Sequence, residues 1–183
     1  MTKLAITLAA LLLTGCSATT SLTQRSAAEV RQAVTMQDVR ENSEIEYSGP
    51  PMQATTDGSD HNLYYYNLHA YEAKSDGAIR YQLRIDITYR EHWRYYESAS
   101  FSGGRQVNIP KSDRKILYCV SGTDCMFEET LEVSLDEEQI VSALKDRDRL
   151  RLKLKARSGH RSIIEVSSSY LMGFYAAIVN RNG

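Results

Sequence analysis

Few residues in this chain have the types and spacing that catalysis needs. Asp60 stands beside His61 and Glu91 beside His92, Ser158-Gly159-His160 sets a hydroxyl two positions from an imidazole, and His69 completes the histidines. Acid, base and nucleophile types are therefore all present. On a strand, however, adjacent side chains point to opposite faces, so sequence neighbours there make poor catalytic partners. The chain has no Gly-x-Ser-x-Gly elbow, no phosphate-cradling glycine loop, no His-Glu-x-x-His pair and no cofactor fingerprint. A structural zinc wants four ligands, and His61, His69, His92 and His160 have no spacing that supplies them. The residues thus point to structural or exposed histidines, with no metal, no cofactor and no catalytic set, and to binding rather than catalysis.

The cysteines carry more information. In Cys119-Val-Ser-Gly-Thr-Asp-Cys125, two β-like flanks surround a loop centred on Ser121-Gly122-Thr123. If Val120 pairs with Asp124, the two cysteines face each other on adjacent strands, at a separation a disulfide can bridge. Closing so small a loop stabilises the fold by about 2 kcal/mol in the chain-entropy model. The third cysteine, Cys16, stands apart near the N-terminus, which leaves Cys119 and Cys125 as an even pair suited to an oxidising compartment.

The N-terminus explains why Cys16 stands apart. Lys3 gives a short positive region, and Leu4 to Leu13 form an apolar stretch broken only by Thr7. That stretch is far short of the roughly 20 apolar residues a bilayer span needs, and has the dimensions of a signal-peptide core. It ends in Leu13-Thr14-Gly15-Cys16, which resembles the lipobox of bacterial lipoproteins. The resemblance covers residues 1–16 only and implies cleavage after residue 15, a diacylglycerol on the Cys16 thiol and acylation of the new amino terminus. More than one acyl chain is what stable anchoring takes. Ser17, where an aspartate would retain an enteric-type lipoprotein in the inner membrane, implies transfer to the outer membrane. The mature chain would keep 183 − 15 = 168 residues, enough for one domain with a real core.

From Cys16 to about residue 57 the chain reads as a tether. Ser17 to Ser26 is rich in serine and threonine, Arg25 to Val39 carries a weak helical periodicity through Ala27, Val30 and Val34, and Gly49-Pro50-Pro51 and Asp57-Gly58-Ser59 punctuate it. The expected domain is 58–183. Period-two alternation dominates there: Ile79, Tyr81, Leu83, Ile85, Ile87 and Tyr89 share one face, Leu150 to Ala156 repeat the pattern, and Phe127, Leu131, Val133 and Leu135 do so again. Leu63 to Tyr71, Trp93 to Phe101, Lys115 to Val120 and Ile163 to Ser167 complete seven expected strands. Two short helices follow from Asp136 as a cap before Ile140, Val141 and Leu144, and from the stripe Leu171, Phe174, Tyr175 and Ile178. The fold class expected is mainly β, an antiparallel sandwich-like domain with one or two short helices behind a flexible tether.

Two sets of side chains would serve a binding face. Arg149, Arg151, Lys153, Lys155 and Arg157 form a one-sided basic ladder, and Arg80 and Arg84 another; were these strands neighbours, the joint face would attract an anionic envelope polymer. The plainer reading has Glu128 and Glu132 on an adjacent strand neutralising them. The second set is aromatic: the chain has 12 tyrosines against 3 phenylalanines and 1 tryptophan, and Trp93, Tyr95 and Tyr96 crowd together. With a formal charge of −1, no general attraction to nucleic acid is implied. The expected function is that of an outer-membrane lipoprotein facing the periplasm, held to the membrane by its lipid and serving as a binding or accessory module for an envelope protein complex. The runner-up is a binder of envelope glycan or anionic lipid through the basic or aromatic face, and the third is a hydrolase with residues converging from distant positions.

Overall fold

The alternating run from Ile79 becomes one continuous 12-residue strand whose even-numbered side chains meet solvent while the odd ones enter the core. This is seen in the computed structural model, which describes residues 24–56, 62–101, 106–109, 112–122, 124–145 and 149–179. Asp60, His61 and Arg147, the glycines at 103 and 104, Thr123, the expected signal peptide and Cys16 lie outside the described residues. In chain order the elements are α1 (Ala27–Ala33), β1 (Thr35–Val39), β2 (Glu44–Ser48), β3 (Met52–Thr55), β4 (Leu63–Ala73), β5 (Ile79–Arg90), β6 (Tyr96–Phe101), β7 (Gln106–Asn108), β8 (Ser112–Cys119), β9 (Cys125–Leu135), α2 (Glu137–Lys145), β10 (Leu150–Ala156), β11 (Arg161–Val166) and α3 (Ser168–Val179).

The strands form two antiparallel sheets. The larger runs β1-β2-β4-β5-β9-β8, with β3 also paired to β4, and the smaller runs β11-β10-β6-β7. Leu83, Ile85, Ile87, Leu131 and Val133 of the larger sheet are fully buried, as are Leu152 and Ile164 of the smaller. Each such side chain contributes about 1.5–3 kcal/mol relative to its exposed state. The molecule is the β-rich, sandwich-like fold that the alternation predicts, with α2 and α3 where the capping residues and apolar stripes place them.

The compact fold begins much earlier than Gly58. Ser26 caps α1 in a reciprocal box with Glu29, whose carboxylate accepts from the Ser26 amide at 2.8 Å and is held below the usual carboxylate range by the Ser26 hydroxyl and amide. Val30 is fully buried, and α1 lies so close to α3 that a Cβ on Gly173 would sit 2.4 Å from the carbonyl oxygen of Ala27. Strands β1, β2 and β3 then extend the larger sheet. The expected tether through residue 57 is therefore folded from Ser26 to Thr56. Its strands are only four or five residues long and bury little besides Tyr47 and Met52, too brief a pattern to stand out in sequence.

Gly49-Pro50-Pro51 marks a repaired break within the sheet rather than a linker. Strands β2 and β3 both pair with β4, β2 up to Ser48↔His69 and β3 from Met52↔Tyr66, and the prolines between them offer no N–H to the ladder. The opposing Leu68 is nonetheless satisfied. Its carbonyl accepts from the Gly49 amide at 2.8 Å, and its own N–H donates to the Tyr170 hydroxyl at 3.1 Å, which in turn donates to the Pro50 carbonyl at 3.0 Å. A Cβ on residue 49 would come within 2.3 Å of that hydroxyl, so only glycine fits.

Burial pushes the hydroxyls of Tyr81, Tyr89 and Tyr170 well above the ordinary phenol range, and at Tyr89 a hydrogen bond to Glu129 and that residue's charge raise it further. Unfolded tyrosines lose their protons near pH 10. The stability linked to these phenols is therefore complete below about pH 10 and falls as pH rises beyond it. Alkaline titration should show tyrosinate absorbance from these side chains appearing together with loss of the β-sheet circular dichroism. Full ionisation of all tyrosines with the sheet signal intact would contradict this.

Candidate functional site

An acid sits in the core. Along β9, Phe127, Leu131, Val133 and Leu135 face inward, and Glu129 falls on the same face with 0% exposure. A buried carboxylate needs several donors to compensate lost hydration, and here they converge from three segments. The Tyr89 hydroxyl donates to Oε1, the Tyr95 amide to the same oxygen at 2.8 Å, the Tyr96 amide to Oε2 at 3.1 Å, and Arg114 Nε to Oε2 at 3.3 Å. Next to it Arg94, only 6% exposed, lies 4.5 Å over the Tyr89 ring and donates to the Tyr96 hydroxyl and to Asn62 Oδ1. The backbone between β5 and β6 is bent to achieve this, with Glu91 at φ 84° and Tyr95 at φ 58°. That bend is why β6 starts at Tyr96 and not at Trp93. Position 129 breaks the apolar alternation of β9, and an acid on a core-facing register is the one sequence signal that marks it.

The edge next to Glu129 is the most exposed apolar feature of the described fold. Cys119 and Cys125 are joined by a disulfide, Cys119 pairs with Cys125, and the Val120 amide donates to the Asp124 carbonyl at 3.0 Å, as the hairpin reading requires. Strand β8 leads into this hairpin, pairs with β9 on one side and has no described strand on the other. Ile116 is 53%, Tyr118 52% and Val120 74% exposed, with Leu117 also in solvent where the register shifts between Ile116 and Tyr118. Free sheet edges are normally blunted by charge, proline or brevity. Here the charges stop at Lys115, which Glu128 holds at 2.6 Å, and the next residues are apolar.

Compared with protein-family models, curated proteins and solved structures, the chain matches none of them.

The basic ladders do not form one face. Arg151, Lys153 and Lys155 project from β10 in the smaller sheet, with Arg149 just before it, and Arg80 and Arg84 from β5 in the larger, so the two strands are not neighbours. Their neutralising acids also differ from those expected. Glu165 on β11 meets Arg149 at 2.6 Å and Arg151 at 2.8 Å, Glu97 lies 3.6 Å from Arg157, Glu44 binds Arg80 at 2.9 Å and Asp86 lies 3.6 Å from Arg84. Glu128 and Glu132 stay in the larger sheet, with Lys115 and Gln82. Among the described residues, Lys153, Lys155 and Arg161 remain without a carboxylate partner.

The aromatic set is divided as well. Tyr96 is buried with its hydroxyl 2.7 Å from Ser162, and the Trp93 ring packs 4.7 Å from Phe127. Tyr95 alone of the three is exposed, under the guanidinium of Arg114 at 4.8 Å. The bend at Tyr95 turns neighbouring rings in different directions, so no stacking platform results. His69 has a carboxylate beside it, but both Glu46 Oε1, at 2.8 Å, and Ser48 Oγ, at 3.1 Å, meet Nδ1, while Nε2 faces the Asn67 amide. A nucleophilic triad needs serine and acid on opposite ring nitrogens. Among the described residues no cluster of His, Cys, Asp and Glu is placed to hold a metal.

Proposed function

We propose that the chain is a lipid-anchored envelope module that captures an extended, apolar segment of a partner protein by strand addition at β8. The exposed row Ile116, Leu117, Tyr118 and Val120 on a free edge carries this reading. Added strands gain affinity from main-chain hydrogen bonds and specificity from alternate side chains, and a disulfide at the end of the edge keeps that template formed before the partner arrives. The occupant is a protein strand because what lies uncovered is backbone plus four apolar side chains, while the cations of β8 are already held by Glu129 and Glu128.

The anchor fits the same reading. With Cys16 acylated in the outer membrane and α1 capped at Ser26, 26 − 16 = 10 residue steps separate the anchor from the first element, and ten residues span at most ~36 Å. That distance would keep the module against the periplasmic face of the membrane. Binding of an anionic polymer on the smaller sheet is the weaker reading, since Glu165 and Glu97 occupy three of the five cations of the ladder.

The test is photocrosslinking in cells of the full-length chain, with the crosslinker placed at Tyr118 or, as control, at Gln82 on the outer face of the larger sheet. One dominant protein adduct from Tyr118 that is absent from Gln82 is expected. Equal adducts from both, adducts to lipid or glycan, adducts only to a second copy, or none would overturn strand addition. The anchor has its own readout: Cys16→Ala should abolish acyl labelling, and unchanged labelling would refute lipidation.

A further inference from the structure

The outer face of the smaller sheet keeps cations that the fold does not use. Arg151, Lys153 and Lys155 alternate with the buried Leu152 and Leu154 along β10, so they share its solvent side. Arg161 joins them there, because it stands directly opposite Lys155 in the β10–β11 register. Like charges in that position destabilise the strand pair. Glu165 is engaged with Arg149 and Arg151, and Glu97 lies beside Arg157, which leaves Lys153, Lys155 and Arg161 without a carboxylate among the described residues. Beyond Lys153 the face continues through Ser100 and Gln106, neutral side chains of β6 and β7. The result is an open, positively charged sheet surface.

The point where the chain enters the fold decides what this surface meets. Arg25 and Ser26, just ahead of α1, border one depression together with Arg149 and Ser167. The chain therefore arrives from Cys16 at the Arg149 end of the basic ladder. From that end β10 runs for seven residues, roughly 23 Å, which is less than the ~36 Å that ten residues can span. The whole ladder is thus within reach of the leaflet that would hold the anchor. A soluble polymer would have to be captured by this face alone. A leaflet makes a smaller demand, because the lipid already holds it near and a few uncompensated cations suffice as the second membrane signal.

We propose that the outer face of the smaller sheet lies on the anionic phospholipid headgroups of that leaflet, with Lys153, Lys155 and Arg161 meeting headgroup phosphates. The proposal rests on the reading of Cys16 as a lipid anchor and is independent of strand addition. It sets the orientation of the module: the larger sheet, with β8 at its edge, is turned to the aqueous side, where a partner segment can reach it. Attraction of basic residues to an anionic leaflet extends over about a Debye length, so the contact weakens with salt.

The test uses the acylated chain in phosphatidylcholine vesicles with or without phosphatidylglycerol. A photocrosslinker is placed at Gln106 on the proposed face or at Gln82 on the outer face of the larger sheet. Lipid adducts are expected from Gln106 and not from Gln82, only where phosphatidylglycerol is present, and should fade in high salt. Lys153→Gln, Lys155→Gln and Arg161→Gln together should lower them about tenfold or more, since each basic residue near such a surface is worth a severalfold change. Lys153→Arg with Lys155→Arg should keep them. All three side chains are exposed, and an unchanged circular dichroism spectrum checks the fold. In cells the same probe at Gln106 should give phospholipid adducts. No lipid adducts, equal adducts from both positions, no dependence on phosphatidylglycerol or on the three cations, or adducts to glycan or protein in cells would overturn the basic face with the anchor intact. Absence of acyl label on the chain would instead overturn the anchor, and the orientation with it.

Discussion

Glu129→Ala should destabilise the protein by about 3–5 kcal/mol, the cost of removing one partner from a buried charged pair, read as a large fall in the urea midpoint. The substitution deletes the acceptor for four donors at once: the Tyr89 hydroxyl, the amides of Tyr95 and Tyr96, and Arg114 Nε. The Tyr89 hydroxyl and the Tyr96 amide have no water to turn to in the closed core, so each keeps its full desolvation cost. Glu129→Gln should cost less, because Oε1 survives as an acceptor while its new NH₂ confronts donors. Arg114→Gln should cost about 1 kcal/mol or less, since that guanidinium is a third exposed and solvent screens it. If Glu129→Ala costs no more than Arg114→Gln, the carboxylate is not the hub described.

Tyr170→Phe should cost about 1–3 kcal/mol, the price of a buried donor left unmade. The ring would stay, still edge-on to Tyr66 at 5.3 Å, so packing is conserved. What is lost is the hydroxyl that mends the ladder where Pro50 and Pro51 cannot, and the Leu68 amide is stranded in the core. Hydrogen exchange gives the specific readout, with the Leu68 amide accelerating more than the neighbouring amides of β4. Tyr175→Phe, which removes only a hydrogen bond to Glu137 near the surface, is the control and should fall within about 0.5 kcal/mol of the parent. An unchanged Leu68 amide in Tyr170→Phe would show that the hydroxyl is not its acceptor.

The alternation of Ile79 to Tyr89, of Leu150 to Ala156 and of Phe127 to Leu135 determined the strands β5, β10 and β9 and their buried faces, because a period of two leaves one side apolar whatever the partner. The six-residue spacing of Cys119 and Cys125 determined the disulfide hairpin for an equally local reason. Asp136 and the serines before Tyr170 likewise marked the starts of α2 and α3.

Pairing across the chain was not legible in this way. Strands β1 to β3 are short and mostly half-exposed, and only β4 makes β2 and β3 part of a sheet, so residues 26–56 read as tether until the tertiary structure enlisted them. The basic ladders of β5 and β10 could be read as ladders, but which carboxylates face them depends on strand order, and strand order arises from contacts tens of residues apart. The same holds for both candidate sites. Ile116, Leu117 and Tyr118 resemble any core-bound strand, and only their position at an uncovered edge exposes them. Arg94, Asn62 and Glu129 lie in three segments, and no spacing in sequence announces that the fold brings them together in one dry corner. Local periodicity fixes what each element buries, whereas the partner of a buried charge is chosen only when the sheets close over it.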